Sequence, residues 1–252
     1  MTAPAPASFH RRPLPDDLVD FSSAQGRRWL QEALAAGSAE AFYPLVAHLH
    51  TQAEPAWCGL GTMVTVLNAL QIDPGRAWRG PWRFFGEELL ICCKSMELAT
   101  AEGLSLAEVG CLASCNGASS VSTEAATSSL EAFREDLERS VRAPAGPFLV
   151  ANYARGALGQ TGDGHFSPIA AWHAPSDHAL ILDVARFKYP PHWAPVERLF
   201  AAMATTDPSN ARSRGWLLIG NNDQPAASPP AGADELVARL RALGACPPSR
   251  PR

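Results

Sequence analysis

The stretch QAEPAWCGLGTMVTVLNAL, residues 52–70, sets a cysteine at the head of an apolar run. Leu60, Met63, Val64, Leu67 and Leu70 recur at helical intervals, and Asp73-Pro74-Gly75 ends the run. This spacing predicts a buried helix that begins at or near Cys58. Cysteine attacks carbonyls as the thiolate, and a helix N-terminus favours that charge. Gln52, six positions upstream, offers an amide to the oxyanion that such an attack creates, with the Cys58 backbone amide as the second donor. The competing reading of Cys58 is a small core residue.

Outward from this helix, residues 26–50 read helical with a break at Gly37-Ser38. Further helices are expected over residues 87–93, 96–102 and 106–115, the last with Ser105 and Glu108 as a capping box. Ser128 with Glu131 marks another, carrying Leu130, Phe133, Leu137 and Val141 on one stripe. After Pro147 the texture changes to short runs of β-formers over residues 148–153, 166–172, 179–184 and 216–219, interrupted by a helix over 196–204. Helices first and strands second predict an α+β protein: a helical lobe over about 21–143, an antiparallel sheet lobe over about 147–220, and a Pro/Ala-rich tail over 221–252 with one weak helix at 234–243.

The chain of 252 residues is 46% hydrophobic and 18% charged, enough to build a substantial core. A net charge of -4 with scattered Lys and Arg argues against a nucleic-acid partner. No apolar stretch reaches the length of a membrane span, and the first twelve residues have no apolar signal core, so a cytoplasmic location is expected. In a reducing compartment Cys92, Cys93, Cys111, Cys115 and Cys246 read as thiols for metal, catalysis or packing before a disulfide frame.

The base for Cys58 must come from elsewhere in the chain. His165 follows the flexible turn Thr161-Gly162-Asp163-Gly164 and opens a β-run, while Asp183 closes the next apolar run. An antiparallel pairing through the turn at 174–177 is expected to set His165 opposite Asp183, whose carboxylate would accept the imidazole N–H and fix its tautomer. The order Gln52, Cys58, His165, Asp183 resembles the papain-like cysteine peptidases, although the papain signature around the cysteine is absent.

The strings TQAEPAWCGL (51–60), LNAL (67–70), IDPGR (72–76), GPWR (80–83), GDGHFSPI (162–169) and LDVARFKYPPHW (182–193) resemble phytochelatin synthase, from about Phe21 to Ile219. The resemblance implies a papain-like cysteine protease fold and a transpeptidase. It would remove glycine from glutathione, hold γ-Glu-Cys on Cys58 as a thioester, and pass it to a second glutathione or a growing phytochelatin in heavy-metal detoxification. It also implies substrate contacts at Trp57, Asn152, Arg155, Gly164, Arg186, Lys188 and Arg214, the guanidiniums answering a peptide with two carboxylates. No organic cofactor is expected. Activity is expected to depend on cadmium, zinc or copper ions, carried mainly as glutathione thiolate complexes.

The implied partners are glutathione, metal–glutathione thiolates and phytochelatin products, with a homodimer left open. Cys92, Cys93, Cys111 and Cys115 recur where plant-type members carry cysteine. Cys111 and Cys115 share a helix face and are candidate soft-metal ligands, although core packing is the preferred reading. Two alternatives remain: a hydrolase of the same fold that releases γ-Glu-Cys products from glutathione or its S-conjugates, and a non-catalytic thiol or metal-binding protein.

Overall fold

The computed structural model describes residues 12–90 and 92–222. The expected tail helix at 234–243 and Cys246 lie outside them. In chain order the elements are β1 (Val19–Asp20), α1 (Ala24–Ala35), α2 (Phe42–Ala47), α3 (Cys58–Ala69), α4 (Met96–Glu102), α5 (Leu106–Cys115) and β2 (Ala118–Glu124). There follow α6 (Leu130–Val141), β3 (Phe148–Ala154), β4 (Gly164–His173), β5 (His178–Ile181), β6 (His192–Pro195), α7 (Val196–Met203), β7 (Thr206–Asp207), β8 (Arg212–Ser213) and β9 (Gly215–Asn221). No described helix is long and apolar enough to cross a membrane.

The α+β class is observed. Seven strands form one antiparallel sheet in the order β1-β6-β5-β4-β3-β9-β2, while β7 and β8 make a separate hairpin. Strand alternation divides the core between the two faces. On β3, Phe148 and Val150 pack with the α3 side, whereas Leu149, Ala151 and Tyr153 pack with α6 and α7. Every residue of α3 is buried, which is why its apolar residues run all round rather than along one stripe. Truncating a fully buried member such as Leu67 is expected to cost about 2–5 kcal/mol.

Segregation of helices from strands is less clean than the sequence suggests. β2 lies within the span assigned to the helical lobe, yet it pairs with β9 along all seven of its residues. Its Ser- and Thr-rich sequence has no apolar alternation to betray an edge strand held by backbone bonds. α6 likewise packs on the sheet, on the face away from α3. Of the helix expected over residues 87–93, the described residues show one 3-10 turn, Glu87–Leu89. The cap of α6 is Ser129 rather than Ser128, its hydroxyl accepting from the Ala132 amide. The capping box of α5 is present as read, Glu108 Oε2 accepting from the Ser105 amide at 2.7 Å.

Candidate active site

Cys58 opens α3, and no side chain caps the helix at Trp57, so the first-turn amides remain open toward negative charge. The helix start is tied to β4 beside the histidine. Thr62 Oγ1 donates to the Phe166 carbonyl at 3.1 Å, and backbone hydrogen bonding at Phe166 also reaches the Cys58 sulfur. Burial pushes the Cys58 thiol pKa up, and the Phe166 and Gly59 backbone and the Arg155 charge only partly offset it.

His165 sits at the second position of β4, where Tyr153 pairs with it and meets its ring edge-on at 5.7 Å. Its Nε2 lies 3.0 Å from Asp183 Oδ1, which leaves Nδ1 as the ring nitrogen not committed to the carboxylate. Burial, reinforced by the Arg155 charge and opposed by Asp183, pushes the imidazole pKa down to about 4. For Asp183 burial acts upward, but the charges of His165 and Arg155 and the His165 hydrogen bond hold the carboxyl well below its usual range. Burial thus favours the uncharged thiol and imidazole, while the charges around Asp183 favour its carboxylate.

Asp183 reaches His165 by a route other than the expected one. The ladder pairs Ala171 with Leu180 and, across a bulge, Ile169 with Ile181, so β5 ends two residues before Asp183. The Leu182 amide donates to the Pro168 carbonyl, and the Asp183 side chain then reaches back along β4. Its Oδ1 also accepts from the Ala185 amide at 2.9 Å, which fixes the carboxylate in its own turn.

Two assigned residues have different surroundings from those expected. Gln52 bonds through its backbone N–H to the Val184 carbonyl, joining the loop before Cys58 to the loop of Asp183. Its side-chain Nε2, however, donates to the carbonyls of Glu54 and Pro55 at 2.8 and 2.9 Å. Both amide hydrogens are thus engaged in the turn, and neither is free for an oxyanion. Gly61 permits this closeness, because a Cβ there would stand 3.1 Å from Gln52 Cβ. Arg155 is buried and inward-facing: Nη2 lies 2.8 Å from both Asp183 Oδ1 and His165 Nε2, and Nη1 donates to Gln160 Oε1 at 2.7 Å. Its donors face the triad rather than an open cleft.

Asn152 donates weakly to the His165 carbonyl at 3.5 Å, and its Oδ1 has no partner among the described residues. Arg214 donates to the Thr206 carbonyl and to Asp163, while its Nε is buried without a partner among them. Gly164 is exposed beside Arg214; a Cβ there would stand 3.0 Å from the guanidinium. Arg186 is exposed, and Lys188 is half-buried near Gly162, whose φ of +108° no larger residue adopts readily. Trp57 is turned aside, its indole N–H donating to Thr100 on α4.

Sequence reasoning missed Gln160 and His192, both buried behind Arg155. His192 lies in one of the strings that carry the family resemblance, which was the available signal; Gln160 had none.

Two disulfides, Cys92 with Cys115 and Cys93 with Cys111, replace the expected free thiols at these positions. The Cα separations of 6.7 and 6.1 Å allow both bridges. The Sγ atoms of Cys92, Cys93 and Cys115 all lie within 4.8 Å of one another, so the reduced cluster would be a compact set of soft ligands. Among the described residues Cys58 is the free cysteine.

These features agree with what sequence comparison finds. The family model for phytochelatin synthase matches residues 9–216. The chain is 48% identical over 214 residues to glutathione gamma-glutamylcysteinyltransferase 1 of Triticum aestivum, covering 84% of this chain and 43% of that protein. It is 46% identical over 216 residues to the Arabidopsis thaliana protein of the same name, covering 85% and 44%. Against glutathione gamma-glutamylcysteinyltransferase of Schizosaccharomyces pombe the identity is 38% over 212 residues, covering 84% and 51%. The chain spans about half the length of the curated relatives it matches. Because the family match runs through Cys58, His165 and Asp183 together, the chain belongs to the phytochelatin synthase family.

Proposed function

We propose that this chain is a papain-like acyltransferase that moves the γ-Glu-Cys unit of glutathione from glycine to the amine of a second glutathione or a phytochelatin. The observation that carries this reading is the buried pair of His165, on the strand to which the start of the Cys58 helix is tied, and Asp183, from the loop after β5. With Nε2 held by Asp183, His165 takes the thiol proton as the Cys58 sulfur attacks the Cys–Gly carbonyl. The C–N bond breaks, the histidine proton passes to the departing glycine amine, and a thioester remains on Cys58. An incoming amine then gives its proton to His165, the C–S bond breaks, and the thiol is restored.

The oxyanion is received by the open amides at the start of α3, with the Cys58 amide as first donor. Gln52 shapes the turn that holds this helix start. The unpartnered Asn152 Oδ1 and Arg214 Nε are an acceptor and a donor for the α-amino and α-carboxylate groups of the γ-glutamyl end. Arg186 and Lys188 lie on the loop that leaves Asp183, where an anionic acceptor approaches the thioester. Cadmium, zinc or copper enters as the bis-thiolate of glutathione and is part of the substrate, so the Cys92–Cys115 region takes no part in the chemistry. We place the reaction in the cytoplasm, where glutathione is reduced.

The test is mass spectrometry of enzyme and products after incubation with glutathione, with and without cadmium. Wild-type protein is expected to carry a γ-Glu-Cys adduct on Cys58 and to make phytochelatin when cadmium is present. Cys58→Ser is expected to do neither while keeping its melting temperature. Glycine release by that variant at the wild-type rate would overturn the assignment. Release of γ-Glu-Cys alone, with cadmium present, would favour the hydrolase.

A further inference from the structure

Behind the triad lies a buried chain of hydrogen bonds whose polarity is dictated from one end. His192, the first residue of β6, has Nδ1 2.8 Å from the Pro190 carbonyl oxygen. A carbonyl only accepts, so Nδ1 carries a proton. The ring is fully buried, which disfavours a second proton and leaves Nε2 as a lone pair. That lone pair lies 3.0 Å from Gln160 Nε2, which must donate to it. Gln160 is thereby oriented with Oε1 toward Arg155, and it accepts from Nη1 at 2.7 Å. The other terminal nitrogen of Arg155 then lies 2.8 Å from Asp183 Oδ1. Gln160, Arg155, His192 and Asp183 are all at most 4% exposed, so water does not compete for these bonds.

We infer that Gln160 and His192 are positioning residues for catalysis: they hold the Arg155 guanidinium on Asp183 and so fix which nitrogen of His165 carries the proton. This rests on the thioester reading above. Arg155 Nη2 is equally close, at 2.8 Å, to His165 Nε2. If it donated there, Nε2 would be an acceptor and the proton would move to Nδ1, the nitrogen that must be empty to take the Cys58 proton. Anchoring Nη1 on Gln160 keeps Nη2 aimed at the carboxylate and leaves Asp183 Oδ1 to accept from Nε2–H.

The chemistry of the anchor is selective. A carboxylate at position 160 would compete with Asp183 for the guanidinium and bury a second negative charge. An apolar residue would leave both Arg155 Nη1 and His192 Nε2 without partners. The amide serves both groups and adds no charge.

The test uses Gln160→Met and His192→Leu, which keep bulk and remove the relay, beside His192→Gln, whose Oε1 takes the place of Nε2. Two pH profiles are measured on each: glycine release from glutathione, and alkylation of Cys58 by iodoacetamide. The groups that face His165 are Asp183 from the loop after β5, Arg155 and Tyr153 from β3 and the turn after it, and His192 from β6. In Gln160→Met only the hold on Arg155 differs, whereas His192→Leu also removes a group that itself disfavours the His165 imidazolium.

Freed from Asp183, the guanidinium no longer opposes an imidazolium at close range, so the acid limb of both profiles should move to higher pH by about one unit. The kcat for glycine release should fall between about tenfold and a hundredfold, with KM within about threefold. His192→Gln should return both limbs to the wild-type position. Apolar variants whose alkylation profile coincides with wild type, or whose rate falls only as far as the melting temperature explains, would overturn the inference. Alkylation needs no substrate, so it judges the relay even if wild-type enzyme forms no thioester, a result that would sink only the proposed function.

Discussion

Replacing Asp183 by asparagine isolates one charge from three hydrogen bonds. Oδ1 accepts from Arg155 at 2.8 Å, from the Ala185 amide at 2.9 Å and from His165 at 3.0 Å, whereas Oδ2 is buried with no partner among the described residues. An asparagine that sets its carbonyl where Oδ1 stands keeps all three bonds, and its NH2 takes the empty place. The imidazole tautomer can therefore survive, and what disappears is the negative charge that stabilises the imidazolium formed during attack. One unit charge at 3.0 Å in a medium of effective dielectric 20 is worth about 5.5 kcal/mol gross, or about four decades in rate. The amide dipole recovers part of this, so glycine release in single turnover should slow by about three decades. The unneutralised Arg155 should also lower stability by about 3–5 kcal/mol. The assay is quench-flow of glycine release at saturating glutathione, at a temperature where the melting curve shows the variant folded. A folded Asp183→Asn variant with a rate within about tenfold of wild type would refute the charge argument.

Two further outcomes follow from the site. If the exposed Arg186 meets the acceptor as proposed, Arg186→Ala should raise the ratio of free γ-Glu-Cys to phytochelatin at matched glycine release with cadmium present; an unchanged ratio would place the acceptor elsewhere. His165 holds its proton less tightly folded, at about 4, than at the ordinary 6.5, so the unfolded chain binds more protons between those values and stability falls as pH drops through them. Its share of the loss is about 3 kcal/mol by pH 4. Denaturant midpoints of wild type and His165→Gln should therefore converge on acidification, and parallel curves would remove His165 from that window.

What the sequence determined by itself was local. The run behind Cys58 reads as a helix because its apolar spacing is helical and a proline and glycine follow it. The β-formers after Pro147 and the capping box at Ser105 are legible for the same reason: each is a preference of neighbouring residues for one backbone shape. The contact of His165 with Asp183 was also within reach, from a turn before one apolar run and a carboxylate closing the next.

Tertiary structure alone decided which polar groups are desolvated together. Ser- and Thr-rich β2 becomes an edge strand only because β9 offers it a backbone ladder. Gln52 turns its amide onto the carbonyls of its own loop, and Arg155 turns inward to Asp183, because each group is buried beside those partners. Gln160 and His192 carry no local pattern at all; their roles arise from the closure of the 155–160 turn against β6, which leaves each donor one acceptor to find. Hydrophobic periodicity is written along the chain, whereas the choice of hydrogen-bond partner in a buried cluster depends on residues that meet only after folding.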